Sequence, residues 1–413
     1  MMRSAAYIFL FFGRFILFPV YFLSGFYPRR QDLWVYGSWG GYRFADNSAA
    51  FFLYCQQEIG NNIKLVWISR DRTIVRSLRK NGYCAYWIWS PGGMLACLQA
   101  KVHLFDCFSK DTNFWLSRGA NKICLWSGVP LKVFERDIDN TRSRYYRLFH
   151  GSLPERWLLG MMMPWHIDKP DLIIATSAEN GAITKRAFGL PEGRVVITGF
   201  PRNDILLVKN RSITSIGAKL PDSFINAVEA DGKTFLYLPT FRDSGKEYMG
   251  INWEQLDLLM SKVGAKLFFK THPMDRLKND VHLDNVIQLP QTTDVYNLLP
   301  NVDVLISDYS SVIFDYMLLA RPIIYYMPDL ESFLSENRSL LFHPEEIAVG
   351  PICSGFEALL QTIEEVALHQ PEINSSRREQ TMQRLFAHVD SNSSQRVLRS
   401  IDSRFYAGSL LVR

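Results

Sequence analysis

The sequence predicts two doubly wound parallel α/β domains in tandem, and three observations carry that reading. The chain has 413 residues, more than one core usually encloses and a fit to two or three domains. From Asp32 onward short apolar runs alternate with helix-period segments, the pattern that βαβ units leave in a sequence. A polar, weakly patterned tract from about Lys209 to Gly232 divides the alternation into two series. Composition agrees, since 47% hydrophobic and 21% charged residues exclude disordered and collagen-like chains.

In the first series the strands are residues 33–38, 63–69, 102–105, 122–127, 172–177 and 194–199, all short apolar runs. Residues 48–59 and 177–188 have helical patterns, the second opening on Ser177 as N-cap. The second series places strands at 235–240, 266–270, 285–290, 303–307 and 322–327, and a charged helical stretch follows at 373–401. The resulting boundaries are 1–30 for a hydrophobic segment, 31–210 and 211–375 for the two α/β domains, and 376–413 for a helical tail. Two Rossmann-like domains facing a cleft is the GT-B-like arrangement, although pattern alone admits other two-domain α/β enzymes.

Residues 5–26 are almost wholly apolar and aromatic, but Arg14 and Pro19 interrupt them. The unbroken runs, 4–13 and 15–28, are each shorter than the roughly 20 residues a spanning helix needs. A membrane-inserted or interfacial helix is therefore expected, with Arg29 and Arg30 at anionic headgroups; a helix packed inside the folded body is the competing reading. Net charge is +5, and the first 31 residues hold four arginines and no acid, so the remaining chain is close to neutral. That balance argues against a nucleic-acid-binding body. The six cysteines form no C-x-x-C pair and read as buried thiols of a reducing compartment.

The most informative segment is 303–329, DVLISDYSSVIFDYMLLARPIIYYMPD. A buried strand ending at Ser307 meets a polar turn (Asp308, Tyr309, Ser310), then a helix with apolar Val312, Ile313, Tyr316 and Leu319. Free N–H groups at that helix start, beside the Ser310 and Ser311 hydroxyls, would make an anion site suited to a diphosphate. Asp315 lies one turn further in, where a carboxylate can accept from ribose hydroxyls. The same residues also fit a plain cap at Ser310 and a solvated Asp315. In LFFKTHPMD (267–275), Pro273 disfavours the helical region for His272 and holds it extended past a buried strand. A histidine there fits acid–base work or a structural role. In YLPTFRD (237–243), Arg242 follows Thr240 just past a strand and can pair with phosphate bidentately. In TGFPRND (198–204), Arg202 either binds a ligand or pairs with Asp204.

Taken together, DNSAAFF (46–52), WSGVPLK (126–132), GFPRNDIL, YLPTFRD, KTHP and SDYSSVIFDYMLLARPIIYY resemble the CDP-glycerol glycerophosphotransferase family, whose members build teichoic acids and related capsule or O-antigen polymers. The resemblance spans about residues 31–360 with the motifs in the same order. It implies a GT-B-like transferase at the cytoplasmic face of the bacterial inner membrane, peripheral or N-terminally anchored. The partners it implies are CDP-glycerol or a related CDP-polyol and a lipid-linked glycan acceptor, with the membrane and without nucleic acid. Neither a cofactor nor a metal is implied, and no D-x-D cluster stands beside the motifs. By the same resemblance Ser310 and Ser311 hold the donor phosphates, with Asp308, Asp315 and Thr240 in the donor site. His272 is catalytic or phosphate-stabilising, Arg242 is a phosphate ligand, and Lys132 and Arg202 face the acceptor.

One departure bears on mechanism. The family usually reads W-H-G-x-P-L-K, with the histidine as proposed general base, and this chain has Ser127 there. A serine of ordinary pKa cannot deprotonate an acceptor hydroxyl unaided, which leaves Asp137, Asp139 and His166 as candidates. A glycosyltransferase using a nucleotide sugar such as CMP-Kdo is the alternative reading of the fold. A catalytically silent donor-binding protein is the reading that Ser127 motivates.

Overall fold

A computed structural model describes residues 2–59, 62–208, 221–230, 232–240, 250–270, 283–336, 339–369 and 375–410, with side chains from residue 13 onward. The chain forms two compact units: Met1–Ser127 with Phe134–Ile205 and Phe386–Arg413, and Gly128–Val133 with Leu206–Leu385.

The first unit is built on seven strands: β1 (Arg30–Gly37), β2 (Lys64–Ser69), β3 (Ala85–Trp87), β4 (Ala100–Phe105), β5 (Asn121–Cys124), β6 (Leu172–Ala175) and β7 (Val195–Ile197). Their order is β3-β2-β1-β4-β5-β6-β7, and every pairing is parallel. A sheet covered on both faces needs strands apolar throughout, and Leu33, Trp34, Val35 and Tyr36 are all buried. The order reverses between β1 and β4, which makes the carboxyl ends of those strands the unit's topological switch point. Gly37 ends β1 there because a Cβ would lie 2.2 Å from the Asp111 carbonyl oxygen.

The N-terminal helix, Met2–Ser24, packs one side on this unit: Tyr21 stacks on Phe114 at 4.5 Å, and Phe18 meets Trp115 edge-on at 5.5 Å. Phe15, Ile16, Phe22 and Leu23 stay exposed. Among the described residues no helix is long and apolar enough to cross a membrane. Arg29 departs from its expected place at lipid headgroups. It donates to the carbonyls of Ser24, Cys97, Leu116 and Arg118, so it ties the helix exit to the body. Burial lowers its pKa to about 10.

The second unit holds β8 (Thr234–Leu238), β9 (Lys266–Phe269), β10 (Val286–Gln288), β11 (Val304–Ser307), β12 (Ile323–Tyr326) and β13 (Ile352–Cys353), ordered β10-β9-β8-β11-β12-β13 and all parallel. Its switch point falls between β8 and β11. One face of the sheet (Phe235, Tyr237, Leu267, Phe269, Ile306) packs with Leu359, Ile363 and Val366 of the helix Phe356–Leu368. The edge strands β3 and β13, three and two residues long, are the ones the sequence pattern did not register, being too short to show a period.

The residues read as one C-terminal tail divide between the units. Helix Ser375–Leu385 belongs to the second and helix Ser393–Phe405 to the first. Asp204 caps the latter by accepting the N–H groups of Ser393 and Ser394, both at 2.8 Å. Beyond it the Tyr406 hydroxyl accepts from the buried Trp34 Nε1 at 2.6 Å and donates to the Gln31 carbonyl. All six cysteines are free thiols, four of them buried.

Candidate functional site

In the second unit the switch point is tied together by Asp308. Its buried carboxylate, just past β11, accepts the Thr240 backbone N–H with both oxygens at 3.0 and 3.1 Å, while Ser307 Oγ donates to the Leu238 carbonyl. The ends of β8 and β11 are thereby held in fixed register. Ser310 and Ser311 follow, half-buried, at the carboxyl edge where α/β sheets take ligands. The helix after them, Val312–Met317, has only six residues, so the hydroxyls and turn amides matter more than the dipole there.

Asp315, expected on ribose or solvated, is not open to solvent. It is fully buried in that helix, and its Oδ2 accepts from the Tyr296 hydroxyl at 2.6 Å, bracing the Val295–Asn297 turn. Lys132, expected to face the acceptor, lies in the second unit, pairs as a bridge with Leu340 and sits with Nζ 5.0 Å from the Phe333 ring. Phe333 in turn stacks on Tyr309 at 3.8 Å, which brings Lys132 to the neighbourhood of the Ser310 turn. Arg242 and His272 lie outside the described residues.

The first unit's switch point carries a charged cluster that joins Arg202, expected to face the acceptor, to Asp46, to which the sequence assigned no role. Asp46 opens the helix Asp46–Glu58 with φ +65°, and its Oδ1 accepts Arg202 Nη1 at 2.7 Å while its Oδ2 accepts Trp39 Nε1 at 3.0 Å. The same Arg202 Nη1 donates to the Ser127 carbonyl at 2.7 Å, and Asn47 Nδ2 donates to the Leu125 and Trp126 carbonyls. Arg202 is thus buried scaffold, with a 3% exposed side chain, and its carboxylate partner is Asp46 rather than Asp204. Trp39 and Trp126 also have positive φ, +46° and +51°. Three residues with positive φ thus come together at one edge of the sheet, past the ends of β1 and β5. The sequence signal available was an acid directly past a strand end at Asp106 and an acid opening a helix at Asp46.

Asp106, fully buried, accepts the Ser48 N–H at 2.7 Å, and burial followed by the neighbouring Asp46 charge pushes its carboxyl well above the usual range. Its proton is therefore retained in the fold and lost in the unfolded chain near pH 4. The native state binds more protons above that pH, so this residue's contribution to stability is present below about pH 4 and falls as pH rises. Asp106→Asn is expected to raise the melting temperature at pH 8 more than at pH 4.5, measured by calorimetry at both.

Of the candidates to replace the missing histidine, Asp137 is held by Arg186 at 2.8 Å. His166 is more telling. Its Nδ1 lies 3.0 Å from both carboxylate oxygens of Glu135, and Phe108 packs against the ring at 4.2 Å between centroids. A carboxylate on Nδ1 fixes the tautomer that presents Nε2 as a base.

The family described as CDP-glycerol:poly(glycerophosphate) glycerophosphotransferase matches residues 20–403. The teichoic acid poly(glycerol phosphate) polymerase of Bacillus spizizenii is 25% identical over 374 residues, covering 86% of this chain and 89% of the relative. The teichoic acid glycerol-phosphate transferase of Staphylococcus aureus is 24% identical over 389 residues, covering 90% and 93%. Among solved structures, the wall teichoic acid polymerase TagF superposes with a TM-score of 0.71 at 21% identity, covering 92% of this chain and 91% of that one. A variant of TagF soaked with CDPG matches with the same TM-score at 20% identity.

Proposed function

This chain belongs to the CDP-glycerol:poly(glycerophosphate) glycerophosphotransferase family, and from that premise we propose that it transfers glycerol phosphate, or a related polyol phosphate, from a CDP-linked donor to a hydroxyl of a lipid-linked glycan or polymer. The acceptor oxygen attacks the phosphorus bearing the polyol, the bond to the bridging oxygen breaks, CMP departs with that electron pair, and the acceptor proton passes to a base. The observation that carries this reading is the second unit's switch point, where Asp308 fixes Thr240 beside the Ser310–Ser311 turn. Ser310 and Ser311 bind the donor phosphates there, and Lys132, arriving on the same unit, adds a cation. Arg242 supplies the bidentate phosphate contact and His272 stabilises or protonates the departing CMP. His166, oriented by Glu135, is the candidate base in a chain that carries Ser127.

The protein works at the cytoplasmic face of the cell membrane, lying in the interface rather than spanning it. The exposed Phe15, Ile16, Phe22, Leu23 and Phe26 near the N-terminal helix support that placement, as do Leu153 and Trp157.

Titration calorimetry with CDP-glycerol, CDP-ribitol, CMP and UDP tests the donor assignment. A CDP-polyol is expected to bind most tightly, and Ser310→Ala to weaken it about 10- to 100-fold, the worth of one hydrogen bond to a charged group. Preference for UDP or for CMP would replace the polyol donor with a nucleotide sugar.

A further inference from the structure

Between the N-terminal helix and the helix Leu153–Met162 runs a groove of about 610 Å³, within the size of pockets that enclose a small ligand. Phe18, Tyr21, Phe114, Trp157, Met161 and Ile167 give it apolar and aromatic walls. Gly160 contributes by what it lacks, since a Cβ there would come within 2.7 Å of Ile167 Cδ1.

Its charge is one-sided. Arg156, Lys169 and Arg194 complete the lining, and neither Arg156 nor Lys169 has a carboxylate partner among the described residues. Lys169 Nζ donates to the Gly189 carbonyl, and Arg194 stands 3.8 Å from Asp171. Asp168, the acid in the lining, is neutralised within the protein by Lys122 at 2.6 Å and accepts from the Tyr21 and Ser109 hydroxyls. An apolar trough with two cations, Arg156 and Lys169, that no carboxylate compensates among the described residues is complementary to an amphiphile, a hydrocarbon chain ending in an anion. Two or more positive charges match a phosphomonoester or diphosphate, which carries close to two negative charges or more, better than the single charge of a phosphodiester.

We infer that this groove seats the lipid end of the acceptor, a single hydrocarbon chain bearing a terminal phosphate or diphosphate. The inference rests on the reading that the acceptor is lipid-linked, and it adds a site for that lipid separate from the switch-point residues.

The test is calorimetric titration of the full-length protein with farnesyl diphosphate below its micellar range, beside inorganic diphosphate, farnesol and phosphatidylglycerol vesicles. Farnesyl diphosphate is expected to bind at least tenfold more tightly than either fragment. Ile167→Ala and the double variant Arg156→Glu/Lys169→Glu, all at exposed lining positions, are each expected to weaken it at least tenfold while leaving CDP-glycerol affinity and vesicle binding in place. In turnover, the same variants should raise KM for the lipid-linked acceptor and leave kcat intact. Equal binding of inorganic diphosphate or of farnesol would overturn the proposal, as would unchanged affinity in both variants or a parallel loss of vesicle binding. CDP-glycerol titration of the unaltered protein separates the two readings: its failure removes the donor assignment, whereas farnesyl diphosphate alone decides the groove.

Discussion

Arg202→Met is expected to destabilise the first unit by about 3–5 kcal/mol, the cost of leaving one member of a buried ion pair without its partner. Arg202 and Asp46 have side chains only 3% and 4% exposed, and the guanidinium that neutralises Asp46 also fixes the Ser127 carbonyl. Removing it leaves a carboxylate in the interior beside Asp106, whose proton already answers to that charge. Asp46→Asn in the same background should recover much of the loss, because the stranded charge is then gone, and the double variant should be far less damaged than the two single effects add up to. Chemical denaturation of the four proteins measures this directly. A single-variant loss under 1 kcal/mol would show that the pair is solvated and that the strained Trp39, Asp46 and Trp126 backbone is held by other means.

The largest kinetic effect is expected from His272→Ala, a fall in CMP release of about 10²–10⁴-fold, the range over which a positioned acid–base group contributes. His272 follows β9 by three residues in the sequence, and β9 neighbours β8 at the second unit's switch point. Binding of CDP-glycerol should change by less than tenfold, because the phosphate contacts assigned to Ser310, Ser311 and Arg242 remain. Turnover of the variant within threefold of the unaltered enzyme would remove His272 from the mechanism and shift the burden to Arg242.

The sheets were legible because a parallel strand buried on both faces must be almost wholly apolar, as LVWI at 65–68 and VLI at 304–306 are. The charged and polar contacts were not. Arg202 and Asp46 are 156 residues apart, and Arg29 finds the Leu116 carbonyl 87 residues on, separations that no local pattern encodes. Asp315 was read as ligand-facing from its distance past Ser310, yet it lies between Phe314 and Tyr316, both buried, in a helix whose residues are buried on all sides. Lys132 was assigned by its sequence neighbours. The chain leaves the first unit after Ser127 and returns at Phe134, so a motif that reads as one piece is shared by two units. The switch points themselves follow from strand order, which becomes visible only when the ladders are paired.

The capping of Ser393–Phe405 by Asp204, and the Trp34–Tyr406 hydrogen bond, have a consequence for biosynthesis. Domains ordinarily fold as they leave the ribosome, the earlier before the later. Here the unit begun first is finished last, since Phe386–Arg413 complete it only after Leu206–Leu385 have emerged and can close on their own core. During that interval the nascent first sheet lacks the partner for its Trp34 indole and leaves the helix-facing side of that strand to solvent or to a chaperone. A chain released early, short of Ser393, lacks the helix that Asp204 caps and the hydroxyl that accepts from Trp34.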